Sequence, residues 1–326
     1  MNILITGLHG FVGQNLVAQL SGKHRIFGLA RTAGKMAGVE KIYTWNDLDN
    51  ASLPEVDAII HLAGKAHDTK NQTEADVYFK VNRDLTLKVF AYFMEHQDIK
   101  KFIFFSSVKA AADKVPGHIL TEDVTPAPKG PYGESKAAAE KQINDIWQSA
   151  PSSQTDGRKV YTLRPCMMHG PGNKGNLNLL FKVISKGLPW PLGAFENKRS
   201  FCSIQNVCFV VEQLLEHNAN SGVYNLADDE ALSTNTLIEI IGDCLGRKVR
   251  IWKFGRGAMT FLANIGDRLH LPLTTERLSK LTENYVVDNS KIKRALQIDK
   301  MPLSAREGLS YTIRSFNCNK KQLQTQ

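Results

Sequence analysis

Apolar positions in the first half of the chain come in short β-branched or aromatic runs. Each run is followed by a stretch whose apolar residues recur every three to four positions. The runs are Asn2-Ile3-Leu4-Ile5-Thr6, Arg25-Ile26-Phe27-Gly28-Leu29-Ala30, Val56-Asp57-Ala58-Ile59-Ile60-His61-Leu62-Ala63-Gly64, Phe102-Ile103-Phe104-Phe105-Ser106-Ser107 and Lys159-Val160-Tyr161-Thr162-Leu163-Arg164-Pro165. Runs without polar alternation read as strands buried on both faces, as in a parallel sheet. Between them, Asn15 to Leu20 sets Leu16, Val17 and Leu20 on one side of a helix, and Ala75 to Gln97 is a long amphipathic helix that contains Asn82. Strand and helix in alternation predict an α/β fold with a doubly wound parallel sheet.

After Pro165 the pattern changes. A loop from His169 to Asn176 leads to a helix over Leu177 to Lys186, then to the turn-rich Gly187-Leu188-Pro189-Trp190-Pro191-Leu192-Gly193. Asn197-Lys198-Arg199-Ser200-Phe201 precedes a short strand and a helix near Asn206 to His217, and a further strand is expected near Val249 to Trp252. The chain therefore divides into residues 1–165 and 166–316, with a strand and helix near 200–225 returning to the first part, and a polar tail over 317–326.

At 326 residues the chain can bury a sizeable core, and 42% apolar with 22% charged residues is ordinary for a globular protein. No apolar run reaches the ~18 residues a membrane span needs, so no membrane insertion is expected. Met1 enters the first strand pattern at once, which predicts no secretory leader and a cytoplasmic location. The five cysteines are scattered and form no Cys-x-x-Cys pair, which argues against a metal site or a disulfide framework. His61 and His67, with Asp68, share no strand or helix face, so neither is expected to bind metal. The net charge of +9 is spread along the chain without a basic run interleaved with aromatics. A nucleic-acid groove is not expected, and the charge reads mainly as solvated surface with a few cations kept for phosphates.

Four stretches carry candidate chemistry. Gly7, Gly10 and Gly13 lie between the first strand and its helix, where glycines permit a tight turn and let backbone N–H groups approach a pyrophosphate. The spacing is G-x-x-G-x-x-G. At the end of the second strand stands Arg31, with Lys35 nearby, where an acidic residue would hold a free ribose 2′-hydroxyl. A cation there suits a 2′-phosphate, so NADP(H) is favoured over NAD(H), against the alternative of a solvated loop arginine. Ser107 closes a strand at the sheet edge where ligands bind in open α/β sheets; it either faces a substrate oxygen or caps a turn. Tyr132 and Lys136 are one helical turn apart on the helix that Gly130 and Pro131 open. An ammonium at ~4 Å, in an effective dielectric of ~20, favours phenolate by roughly 4 kcal/mol, about three pKa units. The alternative for the pair is a surface tyrosine beside a solvated lysine.

The glycine turn, the serine pair at a strand end, Tyr132 with Lys136, and Arg164-Pro165 leading to Gly170-Pro171-Gly172 occur in the order seen in the extended short-chain dehydrogenase/reductase family. That family includes nucleotide-sugar epimerases, dehydratases and reductases. The resemblance runs from Met1 to about Phe316 and includes His61-Leu62-Ala63-Gly64, Val81-Asn82, Tyr224-Asn225-Leu226, and Asp288-Asn289-Ser290-Lys291 leading to Glu307-Gly308-Leu309. It implies a Rossmann sheet with a smaller C-terminal substrate-binding domain. It implies that Gly7, Gly10, Phe11, Val12, Gly13, Leu62, Ala63, Gly64, Asn82 and Pro165 bind the cofactor, with Tyr132 and Lys136. Ser107 would hold the reacting sugar oxygen, Tyr132 would be the acid/base, and Lys136 would lower its pKa and hold the nicotinamide ribose. Asn176 and Arg199 match positions that bind the nucleotide diphosphate of the substrate. His169 departs from the family's usual tyrosine, which leaves the substrate's shape around the sugar open. The family also implies a homodimer through paired helices, one of them bearing Tyr132.

Leu188-Pro189-Trp190-Pro191-Leu192-Gly193, Asn197-Lys198-Arg199-Ser200-Phe201 and Ser106-Ser107-Val108-Lys109 resemble the branch that reduces UDP-linked 4-keto-6-deoxy-N-acetylhexosamines for surface polysaccharides. The expected reaction is NADPH-dependent reduction at C4. A UDP-hexose 4-epimerase with retained NAD would use the same residues, but Arg31 speaks against it. A 4,6-dehydratase would need an acidic pair where Val108-Lys109 stands, and a non-catalytic NADP sensor would be expected to lack the tyrosine or the lysine.

Overall fold

The structure is a computed structural model that describes residues 1–65, 74–173, 176–269 and 274–323, the side chains of Asn176 and of 317–323 excepted. His67 and Asp68 lie outside the described residues.

Seven parallel strands form the main sheet: β1 (Asn2–Thr6), β2 (Arg25–Ala30), β3 (Lys41–Thr44), β4 (Ala58–His61), β5 (Lys101–Phe105), β6 (Lys159–Pro165) and, after the short β7 (Met167–His169) and β8 (Phe201–Ser203), β9 (Gly222–Leu226). Their order is β3-β2-β1-β4-β5-β6-β9, with β7 and β8 paired in a sheet of their own. Successive residues of each strand face opposite sides. Ile3 and Ile5 join a core with Leu16, Val17 and Leu20 of the helix Phe11–Leu20 and Val207, Val211 and Leu214 of the helix Ile204–Glu216. Leu4 and Ile59 face the other layer, against Val89, Phe90 and Phe93 of the helix Leu85–Glu95. Covering both faces explains why the strands read as unbroken apolar runs. The order turns back between β1 and β4, and the crevice at their carboxyl ends is where such sheets bind ligands.

A third core, built around Phe181, Trp190, Ile238, Ile241, Met259 and Ile313, lies in the C-terminal half. No helix among the described residues is long and apolar enough to cross a membrane.

Three elements differ from the sequence expectation. The helix expected over Ala75 to Gln97 is α-helical at Ala75–Phe79 and Leu85–Glu95, but Lys80–Asp84 between them is a π turn carrying Asn82. A one-turn insertion leaves the amphipathic pattern almost unchanged and cannot be seen in it. Strand β3 was not expected; it is an edge strand with one buried residue, Ile42. The strand expected near Val249 to Trp252 is reduced to isolated bridges: Trp190 donates to the Arg250 carbonyl (2.8 Å) and accepts from Trp252 (2.8 Å). Its partner segment contains Pro189 and Pro191, which have no N–H to extend the ladder.

Candidate active site

The glycine turn leaves β1 at Gly7, whose φ is +70°. A Cβ there would lie 2.7 Å from Ala63 N, so β1 and the exit of β4 touch through bare backbone. A Cβ on Gly13 would lie 2.5 Å from Gly7 O and from Leu8 Cα, so the helix Phe11–Leu20 sits directly on the turn. Gly10 donates to Gly7 O (2.9 Å) and stands as N-cap without a side chain, and the first bond of the helix runs from Gln14 N–H to Gly10 O (3.0 Å). The N–H groups of Phe11, Val12 and Gly13 therefore precede the helical ladder, with the positive end of the helix dipole beside them. This group of free donors fits a pyrophosphate, and any side chain at Gly7 or Gly13 would push apart the backbone segments that form it.

Behind the glycine turn runs a buried polar chain. Thr86 donates to the Asn82 carbonyl (2.7 Å), which leaves its oxygen to accept from His61 Nε2–H (3.0 Å). His61 Nδ1 then accepts from the Thr6 hydroxyl (2.9 Å), and Thr6 Oγ1 accepts from the N–H groups of Leu62 (3.1 Å) and Ala63 (3.0 Å). Every polar atom is used, and the chain fixes the tautomer of His61. Burial drives His61 down from 6.5 to about 3, with the Lys136 charge adding to the effect, so the ring is neutral. Leu62 and Ala63 are half-buried at the end of β4, and Gly64 follows exposed.

Asn82 is fully buried. Its Oδ1 accepts from Lys65 N (2.8 Å), and its Nδ2 donates to Ser135 Oγ (3.0 Å) and Lys65 O (3.2 Å). Ser135 in turn donates to the Tyr132 carbonyl (3.0 Å). The π turn thereby fastens the β4 exit to the first turn of the helix Pro131–Ser149. Gly130, at φ +81°, aims that helix, and Pro131 opens it.

Ser107, Tyr132 and Lys136 converge at the carboxyl end of β5. Ser107 caps the short helix Val108–Ala111, accepting from Lys109 N (3.2 Å), and its side chain is hydrogen-bonded to Tyr132. Lys136 is buried, donates to Phe105 O (2.8 Å) and lies over the Phe104 ring at 4.9 Å. A Cβ on Gly64 would come within 3.2 Å of Lys136 Nζ, which accounts for a glycine there. Pro165 ends β6, buried, beside β5 and β9.

The electrostatics differ from the sequence expectation. Burial raises the Tyr132 phenol above its usual value of 10, the bond to Ser107 pulls the other way, and Tyr78 adds to the rise. Burial depresses Lys136 itself from 10.5 to about 8, opposed by Glu140 one turn further on. Desolvation outweighs the attraction expected from the helical spacing alone. The phenol is thus held in its protonated, donating form.

Sequence reasoning passed over several contributors. Tyr78 stacks edge-on against Tyr132 at 6.4 Å; its i, i+4 relation to Asn82 on one helix was the available signal. Arg164 Nε reaches both oxygens of Glu140 (3.0 and 3.1 Å), a buried pair that docks the Tyr132 helix on β6. Tyr285 donates to Ala112 O (2.7 Å) and so holds the short helix after Ser107 from the C-terminal part of the chain.

The more distant candidates are placed as follows. Arg31 is exposed, just beyond β2. Asn176 begins the helix Asn176–Ser185, its side chain outside the described residues. The Arg199 guanidinium bonds the Lys280 carbonyl and lies 3.8 Å from Glu283, while its buried Nε has no hydrogen-bond partner among the described residues. His169 does not stand at a free surface: it is buried on β7, with Nδ1 2.9 Å from Thr312 Oγ1 and Nε2 3.5 Å from Asp228. A depression of about 470 Å³ lined by Met1, Asn2, His24 and Arg25 lies at the opposite, amino edge of the sheet and brings none of these residues together.

Fold and site together define a Rossmann-type α/β protein, and comparison with known proteins gives its family. A sequence profile of the NAD dependent epimerase/dehydratase family matches residues 3–227. The chain is 30% identical to a UDP-glucose 4-epimerase of Vibrio cholerae over 97% of its own length and 95% of that protein. It is 27% identical to a GDP-6-deoxy-D-mannose reductase of Pseudomonas aeruginosa, covering 74% of this chain and 79% of the other. The crystal structure of UDP-glucose 4-epimerase from Thermotoga maritima, with UDP-glucose, superposes with a TM-score of 0.73 over 98% of this chain and all of that one, at 20% identity, and so shares its fold. The chain belongs to the NAD dependent epimerase/dehydratase family of NAD(P)-dependent nucleotide-sugar enzymes.

Proposed function

We propose that the protein reduces the C4 ketone of a nucleotide-linked sugar, a UDP-4-keto-6-deoxy-N-acetylhexosamine, with NADPH. The observation that carries the reading is Tyr132, hydrogen-bonded to Ser107 at the carboxyl end of β5 and kept protonated by burial. A reduction needs a proton donor at the developing alkoxide, and a neutral phenol is one. The dinucleotide would be held by Gly7, Gly10, Phe11, Val12 and Gly13, by Leu62, Ala63 and Gly64, and by Asn82, Lys136 and Pro165. Exposed Arg31 would take a 2′-phosphate, which favours NADPH over NADH. Bound there, NADPH would supply a hydride to the carbonyl carbon. Ser107 and Tyr132 orient and polarise the carbonyl oxygen, and Tyr132 gives it a proton, so that ketone becomes alcohol. Lys136, held on the Phe105 carbonyl, places a cation beneath the ring of reacting groups. Asn176 and Arg199 would face the nucleotide diphosphate, with Arg199 Nε the donor still to be satisfied. We extend the proposal to a homodimer through the helices Leu85–Glu95 and Pro131–Ser149, which pack on each other and leave Ile146 exposed.

A UDP-hexose 4-epimerase is the second reading, favoured by the 30% identity to the Vibrio cholerae epimerase. One experiment separates the two. The purified protein is incubated with UDP-4-keto sugars and with UDP-hexoses while NADPH and NADH consumption are followed separately by absorbance. Stoichiometric loss of NADPH with the keto sugar supports the reductase. Tightly held NAD, with interconversion of UDP-hexoses and no net consumption of added coenzyme, establishes the epimerase instead.

A further inference from the structure

The helix Arg256–Leu269 has two apolar faces. Met259 and Ala263 are buried in the third core, and Gly266 is buried beside them on the same helix. Phe261, Leu262, Ile265 and Leu269 follow the i, i+1, i+4, i+8 spacing of a second stripe, turned away from the first. Phe261 is 66% exposed and Leu269 65%, values foreign to a large side chain that only supports a fold. Trp252 and Phe254, packed edge to face at 5.7 Å, are exposed just before the helix. The same stretch is strongly basic. From Arg247 to Leu269 six cations stand against one acid, Asp267, a net charge of +5 against +9 for the whole chain. All six are exposed, and Asp267 is bonded to Thr275.

We propose that this face docks the protein on a bilayer surface bearing anionic phospholipid headgroups, without insertion of a spanning segment. Exposed aromatic and leucine side chains, in a stretch whose lysines and arginines are also exposed, match the two layers of such a surface, acyl chains beneath and phosphates above. A second copy of the chain fits less well, because a self-complementary contact would bring two sets of five positive charges together. The charge read from the sequence as dispersed surface is thus concentrated in one exposed stretch of the chain. The proposal is independent of the reaction assigned above.

The test is flotation of the full chain with vesicles of phosphatidylcholine alone or with phosphatidylglycerol added, at low and high salt. Recovery with the anionic vesicles is expected to exceed that with the zwitterionic ones, and to fall at high salt as screening shortens the reach of each charge. Phe261→Ser with Leu269→Ser, and separately Lys248→Gln with Lys253→Gln, should each lower recovery by about fivefold or more while turnover of a nucleotide sugar in solution stays at the wild-type level. The two variants remove different forces, so misfolding of one leaves the other to decide. Equal recovery with both vesicle types, or variants that bind like wild type, overturns the proposal. So does a concentration-dependent self-association, seen by sedimentation, that Phe261→Ser with Leu269→Ser abolishes; that result assigns the face to a second copy.

Discussion

At the scale of single residues, desolvation governs the candidate site. Tyr132 is half-buried and raised, so at neutral pH it keeps the proton that the proposed reduction would deliver. Tyr132→Phe keeps the ring and its contact with Tyr78 but removes that proton. Turnover should fall at least ~100-fold while substrate affinity, measured by calorimetry, stays within a few-fold of wild type. Lys136 is a buried cation depressed from 10.5 to about 8. Between those values the folded protein binds fewer protons than the unfolded chain, so this residue's contribution to stability rises with pH across the window. Below about 8 its burial is a net penalty. Lys136→Met should therefore melt no lower than wild type near neutral pH, less what is lost by leaving the Phe105 carbonyl unpaired, about 1–3 kcal/mol. Wild type should gain on the variant as pH rises from about 8 toward 10.5 in thermal melts, although turnover is lost at every pH.

At the scale of elements, two buried polar links hold the working parts together. The Arg164–Glu140 pair ties the Tyr132 helix to β6 with both side chains buried. Arg164→Met strands the Glu140 carboxylate and should cost roughly 3–5 kcal/mol in urea unfolding, and adding Glu140→Gln should recover a large part of it. Neither the helical pattern nor the strand run announces this pair, because its members lie far apart in the chain. The Thr6–His61–Thr86 chain joins β1, β4 and the helix Leu85–Glu95. With His61 depressed from 6.5 to about 3, the unfolded chain takes up a proton that the folded one refuses. Stability from this residue is therefore present above about 6.5 and is lost as pH falls toward about 3. Urea midpoints measured across that range should fall steeply for wild type and less steeply for His61→Leu, which starts lower because both threonine hydroxyls lose a partner. The sequence placed His61 in a buried strand run; the three-element relay required coordinates.

At the scale of the whole molecule, three cores share one chain, and the C-terminal part reaches back to the sheet through Tyr285 and β9. For the proposed homodimer, Ile146→Asp sets a charge on the exposed face of the Tyr132 helix. Sedimentation should show the dimer converted largely to monomer, with the helical circular dichroism retained. An unchanged dimer would move the interface elsewhere.

By itself the sequence determined the alternation of buried strands and amphipathic helices, hence the doubly wound sheet, because periodicity is a local property of the chain. It also singled out Gly7, Gly10, Gly13, Ser107, Tyr132 and Lys136 as candidates, through the order in which their motifs follow one another along the chain. Only the tertiary structure decided the protonation chemistry: spacing suggested that Lys136 would lower Tyr132, and burial reverses the balance. It alone decided that Asn82 sits on a π turn, that Arg199 is partly engaged by Lys280 and Glu283, and that His169 is buried against Thr312 and Asp228. Each of these depends on how much water and which distant groups surround a side chain. Those quantities are set by packing between segments remote in sequence, and no local pattern encodes them.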